Sequence, residues 1–315
     1  MNEVGADCEL AVRLKSRYCR LMFDLKLYLA SQRQRVDRFL DERLPLASTR
    51  PAILHEAMRY SIFGEAKRIR PILCMAAAEA VGGSADRALQ PGAAIELLHT
   101  YTLIHDDLPA MDDDALRRGR PTCHIKFGEA NAILAGDALL TLAFEWLADC
   151  PAPPPHAPGA LARELAAAAG SQGVIGGQVE DIAAEGKAPD ADLVAYIHLH
   201  KTADLLRAAV RMGAIAVGSS PHHVDALGQY GEHIGIAFQI ADDLLNATSN
   251  RDALGKNVGT DAERGKLTYI AVHGIEVSRR HAEERIGAAQ ELLRALPGDT
   301  APLAAIADFV LSRQS

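Results

Sequence analysis

Five aspartates fall within nine residues, Asp106-Asp107-Leu108-Pro109-Ala110-Met111-Asp112-Asp113-Asp114, directly after an apolar helical run over 93–104. Like charges crowded beside a core-facing helix repel one another and resist leaving water. Any fold that accepts them needs a cation at that place. Hard divalent cations suit oxygen ligands, and Mg²⁺ takes one or two carboxylates while water and substrate phosphates fill its other positions. A second pair, Asp242-Asp243, lies far downstream in another apolar run. A fold that turned the two acidic segments toward each other would create a metal cluster able to hold a diphosphate.

Composition narrows the classes further. With 315 residues, 49% of them apolar, the chain can bury a sizeable core. A formal net charge of −8 argues against a non-specific nucleic-acid binder or a binder of anionic membranes, which both need a basic surface. The five cysteines (Cys8, Cys19, Cys74, Cys123, Cys150) are odd in number and lack close paired spacing, which fits reduced thiols. The first residues carry no apolar core of signal-peptide length, and no apolar stretch stands out as long enough to span a membrane. A soluble, cytoplasmic protein is expected.

Ala and Leu are abundant, β-branched runs are rare, and helical periodicity recurs almost throughout. Amphipathic helices are expected over 23–44 and 51–63. Proline is favoured at a helix start, so a third helix should open at Pro71 and stop at Gly82-Gly83, and a fourth should run from Pro91 to about 108. The stretch 130–147 is apolar on nearly every side, which predicts a central helix. Further helices are expected over 160–169, 190–216, 224–245, 269–296 and 302–314, with no strand and no short repeat. The proline-rich residues 151–159 are read as a surface loop and not as a boundary. Residues 1–315 then form a single domain, with 1–20 as a flexible extension.

His99 lies seven residues before Asp106 and Thr102 four, which places them on one helical face, and Tyr101 is beside them. Pro109 breaks the helix and lets Asp112 fold back toward Asp106. Arg117-Arg118-Gly119-Arg120-Pro121 follows at once. An exposed acidic loop does not need a guanidinium pair, whereas a site that grips diphosphates through both metal and arginine does. In the second segment, Phe238-Gln239-Ile240-Ala241-Asp242-Asp243-Leu244-Leu245-Asn246, Asp242 and Asn246 share a helical face. Alone, this pair reads equally as two solvated carboxylates. Lys67-Arg68-Ile69-Arg70, Lys201-Thr202, Lys256 and Lys266 each read alone as solvated charges, but beside two acidic motifs they look like diphosphate ligands. No P-loop is present, so phosphate binding would rely on side chains and metal.

The segments KRIRP, HTYTLIHDDLPAMDDDALRRGRPTCHIKFGEANAILAGDALL, GGQVEDIAAEG, HLHKTADLLRAAVRMGAI and GIAFQIADDLL with LGK and TDAERGKLTY resemble the trans-isoprenyl diphosphate synthases of the short-chain farnesyl and geranylgeranyl type. The resemblance covers about residues 60–275. It implies an all-α helical bundle around a deep central cavity, a homodimer, and Mg²⁺ as cofactor. Asp106, Asp107 and Asp112 match the first aspartate-rich motif of that family, and Asp242 and Asp243 the second. Asp106, Asp107, Asp112 and Asp242 would be the metal ligands. Arg117, Lys201, Thr202, Gln239, Lys256 and Lys266 match positions that contact the allylic diphosphate, and Lys67, Arg70, His99 and Arg118 match the isopentenyl diphosphate site. Gln178 and Asp181 match a segment near the reacting carbons.

The implied reaction is head-to-tail condensation of isopentenyl diphosphate with an allylic diphosphate. The allylic C–O bond ionises, the isopentenyl double bond attacks the cation, and a proton leaves, with the departing pyrophosphate as base. Tyr101 and Thr102 lie about one helical turn, 5.4 Å, below Asp106, similar to one isoprene unit. A bulky Tyr101 should stop the growing tail early. That reading puts farnesyl diphosphate (C15) ahead of geranylgeranyl diphosphate (C20), although YSIFGEAKRIRPILCMAAAEAVGG and LHKTADLL also resemble C20 synthases. Three positions depart from the family pattern. Asn246 replaces the last Asp of the second motif, Glu65-Ala66 replaces Gly-Gly, and Ile270 replaces a Pro. A terpene cyclase would not need Lys67, Arg70, His99 and Arg118. A non-catalytic subunit of a heteromeric synthase would usually have lost Asp or Arg pairs that this chain retains.

Overall fold

The computed structural model describes residues 23–248 and 266–312. The expected extension over 1–20 and Lys256 lie outside these residues. Helix α1 (Leu25–Arg43) opens where the Asp24 carboxylate accepts a hydrogen bond from Leu27 N–H at 2.9 Å. Helices α2 (Ala52–Ile62), α3 (Ile69–Ala80) and α4 (Ala85–Asp106) follow. Both proline-based helix starts are displaced. Pro71 is the third residue of α3, still within the first turn, where a missing N–H costs nothing. Helix α4 begins six residues before Pro91, because Ser84 caps it by accepting from Asp86 N–H.

Two short strands not foreseen in the sequence, β1 (Leu116–Arg117) and β2 (Arg120–Pro121), pair antiparallel beyond the aspartates. Arg118 (φ 52°) and Gly119 (φ 73°) form the turn between them. Both central positions need positive φ, as in the tight turns that match strand twist. The ladder is too short to carry a period-two pattern.

Helices α5 (Cys123–Phe127) and α6 (Glu129–Ala148) come next. The apolar α6 corrects two expectations. It is long and apolar enough, by length and composition, to cross a membrane. It is also not central, for it buries one stripe (Ala132, Ala135, Gly136, Leu139, Ala143, Trp146, Leu147) and leaves Ile133 and Leu134 43% and 55% exposed. An apolar surface all round permits burial on every side but does not produce it. The buried centre is α3, where Ile72 to Ala78 are all inaccessible, packed on α4 and on the later helix α10.

Residues 151–158 form the non-helical connection read from their prolines. Beyond them lie α7 (Ala160–Ala169), α8 (Val174–Ala184) and α9 (Ala191–Ile197), the last capped by Asp190. The helix expected over 190–216 is interrupted by a π-helical segment, His198–Ala203, before α10 (Asp204–Ala216). The long α11 (Pro221–Thr248) carries the second acidic pair. The helix expected over 269–296 is broken at Gly274 (φ 74°) into α12 (Tyr269–His273) and α13 (Ile275–Leu292). Helix α14 (Ala301–Ser312) closes an all-α fold.

Candidate active site

The end of α4 forms one wall. Past Asp106 the chain knots back on itself, as Pro109 foretold. Asp112 N–H donates to Asp106 C=O at 2.9 Å, Asp113 N–H to Leu108 C=O at 3.1 Å, and Asp114 N–H to Asp107 C=O at 3.3 Å. This brings Asp112 beside Asp106. Burial, reinforced by Asp112 and Asp107 and opposed by Lys201 and Arg117, pushes the Asp106 carboxyl up to about 6. Asp106 therefore holds its charge at a cost that a cation would relieve.

Asp107 points elsewhere. It is buried, and its Oδ1 accepts from Arg117 Nε at 2.7 Å with Arg117 Nη2 at 2.6 Å. This residue, expected as a metal ligand, bonds Arg117 here.

Helix α11 and the π-helical segment form the facing wall. Thr202 Oγ1 donates to Gln239 Oε1 at 3.0 Å, and Lys201 Nζ donates to Asp181 Oδ2 of α8 at 2.5 Å. An inserted residue widens the helix at His198–Ala203. Glycines make room for it on both sides, because a Cβ on Gly177 would lie 2.3 Å from Lys201 N and one on Gly235 2.5 Å from Ala203 Cα. Asp242 is half-buried and Asn246 exposed. Asp243, expected to act in the chemistry, is buried, and its oxygens accept from Tyr269 N–H at 2.7 Å and Gln239 Nε2 at 3.2 Å.

Asp181, His198, Lys201, Thr202, Gln239, Asp243, Lys266 and their neighbours line a common pocket. Lysines connect the walls. Lys266 Nζ is 3.5 Å from Asp112 Oδ1, and Lys201 is close enough to Asp106 to favour its ionised form. Gln178, matched to the reacting carbons, is buried with its Nε2 unpartnered. Among the described residues no three carboxylate, histidine or cysteine side chains converge on one point. The carboxylates present nevertheless fit Mg²⁺, which needs few protein ligands and takes phosphate and water for the rest. Asp106, Asp112 and Asp242 would hold it.

A second pocket lies on the other side of α4, lined by Gly64, Glu65, Thr100, Arg117, Arg118 and Arg120, among others. Its charge has the opposite sign. The Arg70 Nε is buried without a partner, and burial, aided by Arg118, lowers the guanidinium to about 10. Burial and then Arg70, Arg118, Arg117 and Arg68 hold His99 well below the usual imidazole range. His99 is thus a neutral hydrogen-bonding group at neutral pH. Arg118 lines the pocket and is exposed, and Lys67 is exposed too. Arg68, in the same basic run, is spoken for. It bonds Asp37 at 2.8 Å, Glu96 at 3.0 Å and Ile62 C=O at 2.7 Å.

Tyr101 is 9% exposed, and its ring meets His105 edge-on at 5.1 Å. His105 in turn packs on α6, with Nε2 3.1 Å from Ile133 C=O. Thr102 Oγ1 donates back to His99 C=O at 2.8 Å. The sequence reading missed His105 and His198. Their one signal was a histidine next to a motif residue, which has no weight without the tertiary contact.

Residues 51–296 match the family model described as polyprenyl synthetase. The chain is 46% identical over 286 residues to farnesyl diphosphate synthase of Escherichia coli (strain K12), covering 89% of this chain and 94% of that one. It is 44% identical over 300 residues to the heterodimeric geranylgeranyl pyrophosphate synthase large subunit 1, chloroplastic, of Arabidopsis thaliana, covering 93% and 80%. Its fold is similar to the crystal structures of an FPP/GFPP synthase from Zymomonas mobilis (TM-score 0.81, 37% identity, 91% and 98% covered) and of geranylgeranyl pyrophosphate synthetase from Pyrococcus horikoshii (TM-score 0.82, 32% identity, 91% and 99% covered).

Proposed function

The chain belongs to the polyprenyl synthetase family, and from that premise we propose that its two oppositely charged pockets are the allylic and isopentenyl sites of a Mg²⁺-dependent short-chain prenyltransferase. One observation carries the reading. An acidic cleft bridged by lysines lies beside a pocket lined by Arg117, Arg118 and Arg120, with the buried, unpartnered Nε of Arg70 close to Arg118, and α4 serves both. The first suits a diphosphate delivered with metal, the second a diphosphate delivered without it.

When bound, Mg²⁺ would stabilise the negative charge that develops on the leaving pyrophosphate. Lys201, Lys266 and Arg117 hold the same group from three sides, with Arg117 oriented by Asp107. Arg70, Arg118 and Lys67 bind the isopentenyl diphosphate, and neutral His99 donates a hydrogen bond to it. The apolar flank of α4 keeps water from the allylic cation. Tyr101, pressed against His105 and through it α6, closes the tail channel one turn below Asp106, which supports a C15 product. A C20 product is the second reading, favoured by relatives named as geranylgeranyl pyrophosphate synthases. The exposed apolar side chains of α6 and of α8 (Ile175, Val179, Ile182) are suited to cover one another in a homodimer, which sedimentation velocity would detect as a doubled mass.

Purified protein incubated with Mg²⁺, labelled isopentenyl diphosphate and a C5, C10 or C15 primer tests the reading. Label should enter the product with C5 and C10 primers and stop at C15. Incorporation from the C15 primer would establish the C20 reading, and no incorporation with any primer would overturn the proposal.

A further inference from the structure

Asp242 and Asp243 look alike in the sequence, but the structure gives the second a different partner set. Asp243 Oδ2 accepts the Tyr269 N–H at 2.7 Å, and His198 Nε2 approaches the same oxygen at 3.5 Å. The His198 ring lies parallel to the Tyr269 ring, with centroids 5.5 Å apart and planes 19° apart. The far end of Tyr269 is held too, its hydroxyl 2.9 Å from His281 Nδ1 of α13. Asp243 and His198 are 5% and 4% exposed, so these contacts are made away from competing water. Tyr269 is thus fixed at its main chain, ring face and hydroxyl. Three residues earlier stands Lys266, whose ammonium crosses the cleft to Asp112.

We propose that His198, Asp243 and Tyr269 form a clamp that positions Lys266 over the cleft, with His198 as its positioning residue. The inference rests on the allylic reading of that cleft. With Nδ1 unpartnered, His198 acts through Nε2–H, donated toward Asp243, and through its ring face. Removing it frees one side of Tyr269 and loosens the turn between Tyr269 and Lys266. Lys266 then meets the diphosphate from a wider range of positions and contributes less binding.

Hydrogen exchange of a peptide spanning residues 266–273 tests this without reference to activity. In His198→Ala its exchange should quicken about tenfold or more, while peptides from the core helix α3 stay as in the wild type. In kinetics, His198→Ala and His198→Phe should raise the KM for the allylic diphosphate roughly tenfold and leave that for isopentenyl diphosphate unchanged. His198→Gln, which keeps an N–H near Asp243, should recover part of the loss. The double variant with Lys266→Ala should be no worse than Lys266→Ala alone. Unchanged exchange over 266–273, or fully additive losses, would overturn the clamp. A wild-type chain that incorporates no label would overturn the proposed function instead, and the exchange result would still decide the clamp.

Discussion

The two pockets flanking α4 are built from opposite errors of charge. On the cleft side, Asp106 and Asp112 crowd the helix end, and burial drives the Asp106 carboxyl toward neutral pH. On the other side, Arg70, Arg118 and their neighbours crowd His99, and the Arg70 Nε is buried without an acceptor. Each pocket is electrostatically unfavourable while empty and is relieved by a ligand of the sign it lacks. The cleft side has one more device, since Lys266 reaches across it to Asp112 and Lys201 is close enough to favour the charge on Asp106. The arginine side has acidic neighbours instead, Glu65 exposed at its rim and Asp107 tied to Arg117. Stability given up at a site in this way is recovered as affinity for the ligand that completes it.

Asp106→Asn should break the comparison most visibly. It removes an acceptor that only the charged form can supply, and turnover should fall on the order of 100-fold or more. Stability should move the other way in the metal-free protein. Asp106 has a folded pKa of about 6, above its ordinary value of 3.8. The unfolded chain therefore loses this proton first as pH rises, and folding is penalised increasingly from about pH 4 until the penalty is complete above about pH 6. Urea denaturation at pH 8 should show the variant more stable by on the order of 1–3 kcal/mol, with the difference fading toward pH 4. A variant that is less stable at pH 8 would contradict the charge crowding.

Arg70→Gln probes the opposite pocket. It should raise the KM for isopentenyl diphosphate roughly 10- to 100-fold, as expected for a charged hydrogen-bond partner, and leave the allylic KM near its starting value. Its thermal midpoint should not fall, because the variant loses a guanidinium whose Nε is buried without a partner. A shift in both KM values would mean that the pockets are not independent.

Asn246→Asp adds a carboxylate one turn from Asp242 on the cleft side and should tighten Mg²⁺ dependence by about threefold. Unchanged Mg²⁺ titration curves would show that this position is too far from the ion to matter. Glu65→Gln should have the smallest effect. It removes a solvated charge that opposes the diphosphate near Arg118, and should lower the KM for isopentenyl diphosphate about two- to fivefold. A rise would make Glu65 a ligand-orienting group rather than an opposing charge.

Much of this was legible from residue order. The return of Asp112 to Asp106 follows from Pro109, because a proline-broken helix end with free carbonyls closes locally. The helical character of the chain followed from period and composition, and the basic runs marked where the arginine pocket would form. Less legible was which member of each run turns inward. Arg68 and Arg70 differ by two positions, yet one is tied to Asp37 and Glu96 and the other has a buried Nε without a partner. Asp107 and Asp243 both match aspartate motifs, and it took the fold to show that they bond Arg117 and Tyr269. The centrality expected of the stretch 130–147 failed because burial depends on what packs against a face, and apolarity alone does not say.

By itself, then, the order of residues determined what is local: helix content, the proline break after Asp106, the density of acid and base, and so the class of chemistry. Local rules act over a few residues, and a turn or cap closes within that range. The tertiary structure alone decided the partners across distance, namely Lys266 against Asp112, His198 and Tyr269 around Asp243, and the widened turn that packs Lys201 on Gly177 and Ala203 on Gly235. Those contacts join segments far apart in the chain, where small rotations of a helix select which of two adjacent side chains faces the cleft.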